Sequence, residues 1–124
     1  MNGSKSQRIA GWVISGLLAA FLGFSASGKF LQPPNMAAML QHIGYTADTL
    51  KPIGAVEVLS AVLFLIPRTA FLGAVLLTAY LGGAVATHVR VGDPFFMPVI
   101  LGVLVWVAYG LRRPEVIKSA FGLI

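Results

Sequence analysis

The sequence predicts an all-α integral membrane protein: a four-helix bundle with both termini cytoplasmic and a short amphipathic segment between helices one and two. Three observations predict it. Of 124 residues, 57% are hydrophobic and only 10% charged, more apolar surface than a soluble domain of this size can bury. The apolar residues form four long runs, at about 9–28, 50–66, 69–89 and 95–111, broken by charges, Pro and Gly. The basic residues flank these runs and form no face of their own, as Lys and Arg do when they hold loops against anionic headgroups. A single domain over residues 1–124 is expected.

The first run, Ile9 to Gly28, follows Lys5 and Arg8 and has the roughly 20 residues that a bilayer core requires. Ser25-Ala26-Ser27 resembles a signal-peptide cleavage site, but the apolar stretch exceeds the roughly 7–15 residues of a signal, so a retained helix is expected. Between Phe30 and Lys51, Pro33-Pro34 precedes Met36, Met39, Leu40 and Ile43 at helical spacing, and Gly44 follows; this is the amphipathic segment, lying at the interface. The second run, Pro52 to Ile66, is short and contains Glu57, so Leu50 and Pro67 must lie near its boundaries.

Pro67-Arg68 makes a tight connection to the third run, Thr69 to Val89, so the two helices must be antiparallel neighbours. Gly92-Asp93-Pro94 is turn chemistry, and Pro94 suits a helix's first turn, where a missing N–H costs nothing. The fourth run, Phe95 to Leu111, ends at Arg112-Arg113-Pro114, and Glu115 to Ile124 is expected as an interfacial tail.

Orientation follows from the charges. Lys5, Arg8, Arg68, Arg112, Arg113 and Lys118 fall on the side of the termini, against Lys29, Lys51 and Arg90 opposite, which places the termini in the cytoplasm. The net charge of +5 is thereby explained by topology, and no nucleic-acid partner is implied, because no basic face carries interleaved aromatics. With no cysteine, the chain can form neither a disulfide nor a thiolate metal site.

Helices in lipid associate through small residues that let backbones approach. Gly11, Ser15, Ala19, Gly23 and Ser27 form an i, i+4 series on helix one, and Ala70, Ala74, Thr78, Gly82 and Ala86 another on helix three. Each is expected to form a continuous groove, closing the bundle or seaming a homodimer. Trp12 and Trp106 are expected as interfacial anchors.

Glu57 is the residue hardest to explain by packing, because a carboxylate inside an apolar span must be paired, protonated or hydrated. Tyr80, Ala84 and His88 share a helix face beside Thr87, at the same depth, and Lys29 and Arg90 close that end of the bundle. Gln41, His42 and Asp93 lie there too. Structurally, Glu57 pairs with Lys29 or Arg90 and fixes register. Functionally, Lys29, Glu57, Tyr80, Thr87, His88 and Arg90 cap an apolar ligand pocket in which Glu57 and His88 exchange protons with a lipophile. Two histidines and four scattered acids make no metal cage, and no H-E-x-x-H, G-x-G-x-x-G or P-loop occurs.

Gly28-Lys29-Phe30, Gly54-x-x-Glu57, Leu65-Ile66-Pro67-Arg68-Thr69-Ala70 and Ala79-Tyr80-x-Gly82-Gly83-Ala84-x-Ala86-Thr87-His88-x-Arg90 resemble the DoxX-like membrane proteins. The resemblance continues in Pro98-x-x-Leu101-Gly102-x-x-x-Trp106 and Leu111-Arg112-Arg113-Pro114. It implies a four-helix, multi-pass protein of the bacterial inner membrane, in a family named for a subunit of a thiosulfate:quinone oxidoreductase. Some relatives look like membrane partners of redox enzymes and others like assembly chaperones, so the fold does not fix the function.

Two readings follow. In the first, the chain is a quinone- or lipid-binding subunit supporting a redox partner and is not an enzyme on its own. In the second, it is an assembly scaffold whose small-residue groove receives a partner helix. A transporter is a third class, but one four-helix unit is small for alternating access.

Overall fold

The computed structural model describes residues 4–124, which form six α-helices and no strand among the described residues: α1 (Lys5–Leu31), α2 (Met36–Ile43), α3 (Ala47–Leu65), α4 (Ala70–Arg90), α5 (Phe96–Arg112) and α6 (Pro114–Ala120). The first helix starts at a capping box, in which the Ser4 hydroxyl accepts from Gln7 N–H and the Gln7 side chain accepts from Ser4 N–H; two otherwise orphaned donors are satisfied reciprocally. The capping extends α1 four residues ahead of the apolar run.

The amphipathic segment is α2, which buries no residue and is closed by Gly44 at φ 81°, a left-handed position that suits glycine. The second long helix begins at Ala47, earlier than expected, because Thr46 caps it through Thr49 N–H. Pro52 therefore sits inside α3. The expected tail is the short helix α6, opened by Pro114 and bent 116° away from α5.

The four long helices pack in a ring: α1 against α3 and α5, and α4 against α3 and α5, with α6 on α5. Leu18, Leu22, Phe64, Leu77, Leu81, Val105 and Tyr109 are core residues. The outer surface is also apolar, with Val13, Leu17, Phe24, Phe71, Leu72 and Val103 each more than half exposed. Large apolar groups facing both inward and outward are what a lipid solvent permits.

Four spans were expected from the runs alone. Among the described residues two helices, α1 and α4, are long and apolar enough to cross a membrane, or three if α5 and α6 form one broken span. The other two fall short for physical reasons: α3 carries Asp48, Lys51 and Glu57, and α5 has only 17 residues, about 25 Å at 1.5 Å per residue.

The continuous small-residue grooves do not form. On α1 the buried face runs Gly11, Ser15, Leu18, Leu22, Ala26, and on α4 it runs Ala70, Gly73, Ala74, Leu77, Leu81. Each four-residue step overshoots a turn by about 40°, so a series held at i, i+4 rotates off its face within a few members. Gly23, Thr78, Gly82 and Ala86 accordingly end up exposed.

The closest approaches of backbone to backbone are at one end. A Cβ on Gly73 would lie 2.2 Å from Phe64 N, and one on Gly11 would lie 2.8 Å from Ala108 O, so α3 meets α4, and α1 meets α5, at near-backbone contact. Arg112, counted in the sequence only as a flanking charge, is buried beside them. Its guanidinium lies 3.8 Å from the Trp12 ring centroid and 4.9 Å from that of Phe64, and donates to Ser15 Oγ at 3.1 Å. Trp12 thus stacks on a cation, while Trp106 donates to Thr78 Oγ1 at 2.8 Å.

Candidate ligand-binding site

The opposite end, where α1 and α4 finish and α3 and α5 begin, is open. There the four helices part around a cleft of about 810 Å³, within the range of small-molecule sites. Its walls are mostly apolar, with Phe21, Leu22, Val56, Leu81, Met97 and Leu101 among them. Small residues of α4 make the room: Ala79, Gly83 and Ala84 line the cleft, and a Cβ on Gly83 would meet nothing within 4 Å.

Glu57 supplies the polar centre. Its side chain is 1% exposed, and its Oε1 accepts from Lys29 Nζ at 2.9 Å. The ammonium also donates to Ser25 Oγ at 2.9 Å and lies 5.9 Å from the Tyr80 ring centroid. The two partners meet because α1 and α3 approach closely, a Cβ on Gly54 lying 3.1 Å from Lys29 Cβ. Gln32, in a left-handed turn, ties the end of α1 to the start of α3 by donating to Lys29 O and to Ala47 O.

The second helix closes over the cleft, contributing Met39, His42 and Ile43 to its lining, and Tyr45 follows. Three contacts latch this segment to the C-terminal end of α4 and the turn that follows it. His42 Nε2 lies 3.0 Å from both oxygens of Asp93, Tyr45 OH lies 3.0 Å from Thr87 Oγ1, and Arg90 donates to Ile43 O. The Arg90 guanidinium also lies 5.6 Å from the Tyr45 ring centroid.

Of the six residues singled out from the sequence, Lys29, Glu57, Tyr80, Thr87 and His88 line this one cleft. Arg90 does not, because its side chain is engaged by the α2 segment. His88 holds the carbonyl of Ala84 through Nδ1 at 2.7 Å. Sequence reasoning missed Ser25, which had been noticed only as part of a cleavage-site resemblance. The available signal was its i, i+4 spacing to Lys29, which puts both on one face of α1. Tyr45 was also missed, and no periodic pattern marks it.

A family model described as the DoxX-like family matches residues 13–108. The chain belongs to the DoxX-like family. Membership and its apolar helices mark this DoxX-like chain as a membrane protein. The matched region includes every lining residue of the cleft and leaves out the segment from Tyr109 onward, which contains Arg112 and α6. No curated protein and no solved structure matches the chain.

Proposed function

We propose that this DoxX-like chain is a membrane subunit that holds a quinone or similar lipophile for a separate redox partner. It is a multi-pass protein of the bacterial inner membrane, its four long helices spanning with both termini cytoplasmic. The observation that carries this reading is a fully buried carboxylate and its ammonium partner in the wall of an otherwise apolar cleft. Burying such a pair costs desolvation that packing alone does not require.

The donor set fits a quinone. Lys29 Nζ and the Tyr80 hydroxyl are donors for a carbonyl oxygen, His88 lines the same wall, and Phe21, Met97 and Leu101 give an apolar surface for a ring and its tail. When bound, a quinone would supply two-electron redox chemistry, which no residue here provides. The residues' own part is to bind and orient the ring, to exclude water, and to hold protons at Glu57 and His88. The α2 segment, latched by His42–Asp93, shields the polar end.

A second reading, an assembly scaffold or homodimer, is favoured by the outward-facing part of α4. Gly82 and Ala86 are exposed, and a Cβ on Gly82 meets open space, a surface on which another helix could approach closely. Gly82→Leu should block partner capture on that reading and leave ligand retention unchanged.

Native mass spectrometry of protein extracted gently from its own membrane separates the two. A stoichiometric quinone or other lipophile, lost in Glu57→Gln or His88→Ala, supports the binding subunit. A bare chain, or a protein complex insensitive to both substitutions, supports the scaffold.

A further inference from the structure

Hydrogen-bond donors and acceptors are unevenly distributed around the cleft. Lys29 on α1 carries three N–H donors and no acceptor. One N–H goes to Glu57 Oε1 and one to Ser25 Oγ, which leaves the third for an occupant. The last turns of α4 have the opposite character. Thr87 donates its one hydroxyl hydrogen to Gly83 O at 2.9 Å, so in its 3.0 Å contact with Tyr45 OH it is the acceptor.

His88 is fixed in the same way. Its Nδ1 lies 2.7 Å from Ala84 O. A carbonyl oxygen only accepts, so Nδ1 carries the ring hydrogen, and Nε2 of the neutral imidazole is left with a lone pair. Nε2 has no hydrogen-bond partner among the described residues and is not a buried atom, and the residue lines the cleft. Both side-chain hydrogens of Thr87 and His88 are thus turned back onto the carbonyls of their own helix.

An occupant that satisfies both walls must accept at one polar group, for Lys29, and donate at another, for His88. The carbonyls of a quinone only accept, and one that faces His88 sets lone pair against lone pair. The hydroxyl of a hydroquinone donates as well as accepts.

We propose that His88 Nε2 is the specificity-determining acceptor of this cleft, which retains a lipophile bearing a phenolic hydroxyl, a hydroquinone in preference to its quinone. The inference rests on the reading of the cleft as a lipophile site and adds the redox form that it holds. A separate redox partner would meet a couple whose midpoint potential is raised, by about 30 mV for each tenfold preference for the reduced form.

The test compares dissociation constants of a decyl-substituted benzoquinone and its hydroquinone, kept anaerobic, on the detergent-purified protein by equilibrium dialysis against protein-free micelles. An alkylphenol and its methyl ether repeat the comparison without redox chemistry. The hydroxyl form should bind about tenfold more tightly in each pair, the worth of one hydrogen bond. His88→Phe keeps a ring but no acceptor and should bring both ratios close to one, and His88→Gln, which restores an acceptor oxygen, should recover part of the difference. Unchanged melting controls for folding. Equal binding of the two forms by the parent, or a ratio that survives His88→Phe, overturns the proposal and leaves the lipophile site standing; binding of neither form overturns both.

Discussion

Glu57 and Lys29 are 28 positions apart in sequence and 2.9 Å apart in space, joining α3 to α1 at the mouth of the open end. The pair is unequal, because the carboxylate is 1% exposed and the ammonium side chain 16%. Lys29 retains the Ser25 hydroxyl and some access to water if its partner is removed; Glu57 retains neither. Lys29→Met should therefore destabilise the protein by about 3 kcal/mol, the scale for leaving a buried charge uncompensated, and Glu57→Gln should cost less. Thermal unfolding of both variants in detergent checks the order, and the reverse order would show that the carboxylate has another partner.

Glycines at the two ends should behave oppositely. Gly73→Ala forces a methyl against the Phe64 backbone, where no side chain can swing away, and loss of folded protein on size-exclusion chromatography is expected. Gly83→Leu fills empty space in the cleft; its melting should stay within about 1 kcal/mol of the parent while bound lipophile disappears from the mass spectrum.

The contacts holding α2 over the cleft are few and mostly exposed, so they set access more than stability. Asp93→Asn removes the carboxylate that His42 Nε2 contacts and should speed ligand exchange several-fold at unchanged melting temperature. Because the chain has no cysteine, the labelling rate of Leu50→Cys, at a buried position lining the cleft, reports the same opening directly.

The Arg113 guanidinium beside Glu115 holds that carboxyl below its usual value. A depressed acid contributes stability that is complete above its ordinary value of 4.5 and is lost as pH falls through the folded value. Hydrogen exchange in α6 should therefore quicken, relative to α5, as pH drops below that range, and Glu115→Gln should remove the difference.

Orientation is testable with the same cysteine-free background. Ser119→Cys should react with impermeant reagents only from the cytoplasmic side, and Thr46→Cys only from the opposite side. Labelling of both from one side would refute the arrangement drawn from the flanking charges.

Much of the fold was legible because lipid simplifies the code. The third and fourth apolar runs lie within a residue of α4 and α5, since hydrophobicity and Pro-Gly turns mark both ends of each. The starts of α1 and α3 were not legible from hydropathy, being set by the capping side chains of Ser4 and Thr46. Glu57 stood out because a carboxylate is costly in an apolar run, and Lys29 was one of two partners expected for it. Arg112 did not stand out. A charge at a helix end looks like any flanking residue, and only the converging rings of Trp12, Phe64 and Tyr109, brought from three helices, show it to be interior. The i, i+4 grooves failed for a related reason: spacing assigns a face over two turns, whereas Gly73 became the tightest glycine contact because the short turn between Leu65 and Ala70 folds α4 back onto Phe64.

Seen mechanically, a bundle fastened at Gly73 and Gly11 and parted around Gly83 is a lever with its fulcrum at one end. The stretch of α4 from Gly73 to His88 is ~22 Å long at about 1.5 Å per residue. A tilt of only ~5° about the fulcrum carries His88 ~2 Å sideways, about the radius of a methyl group. The arms can thus gape and close around an occupant while the crossing points near Arg112 stay still, so a partner gripping the fulcrum end would hold a surface that ligand exchange never moves.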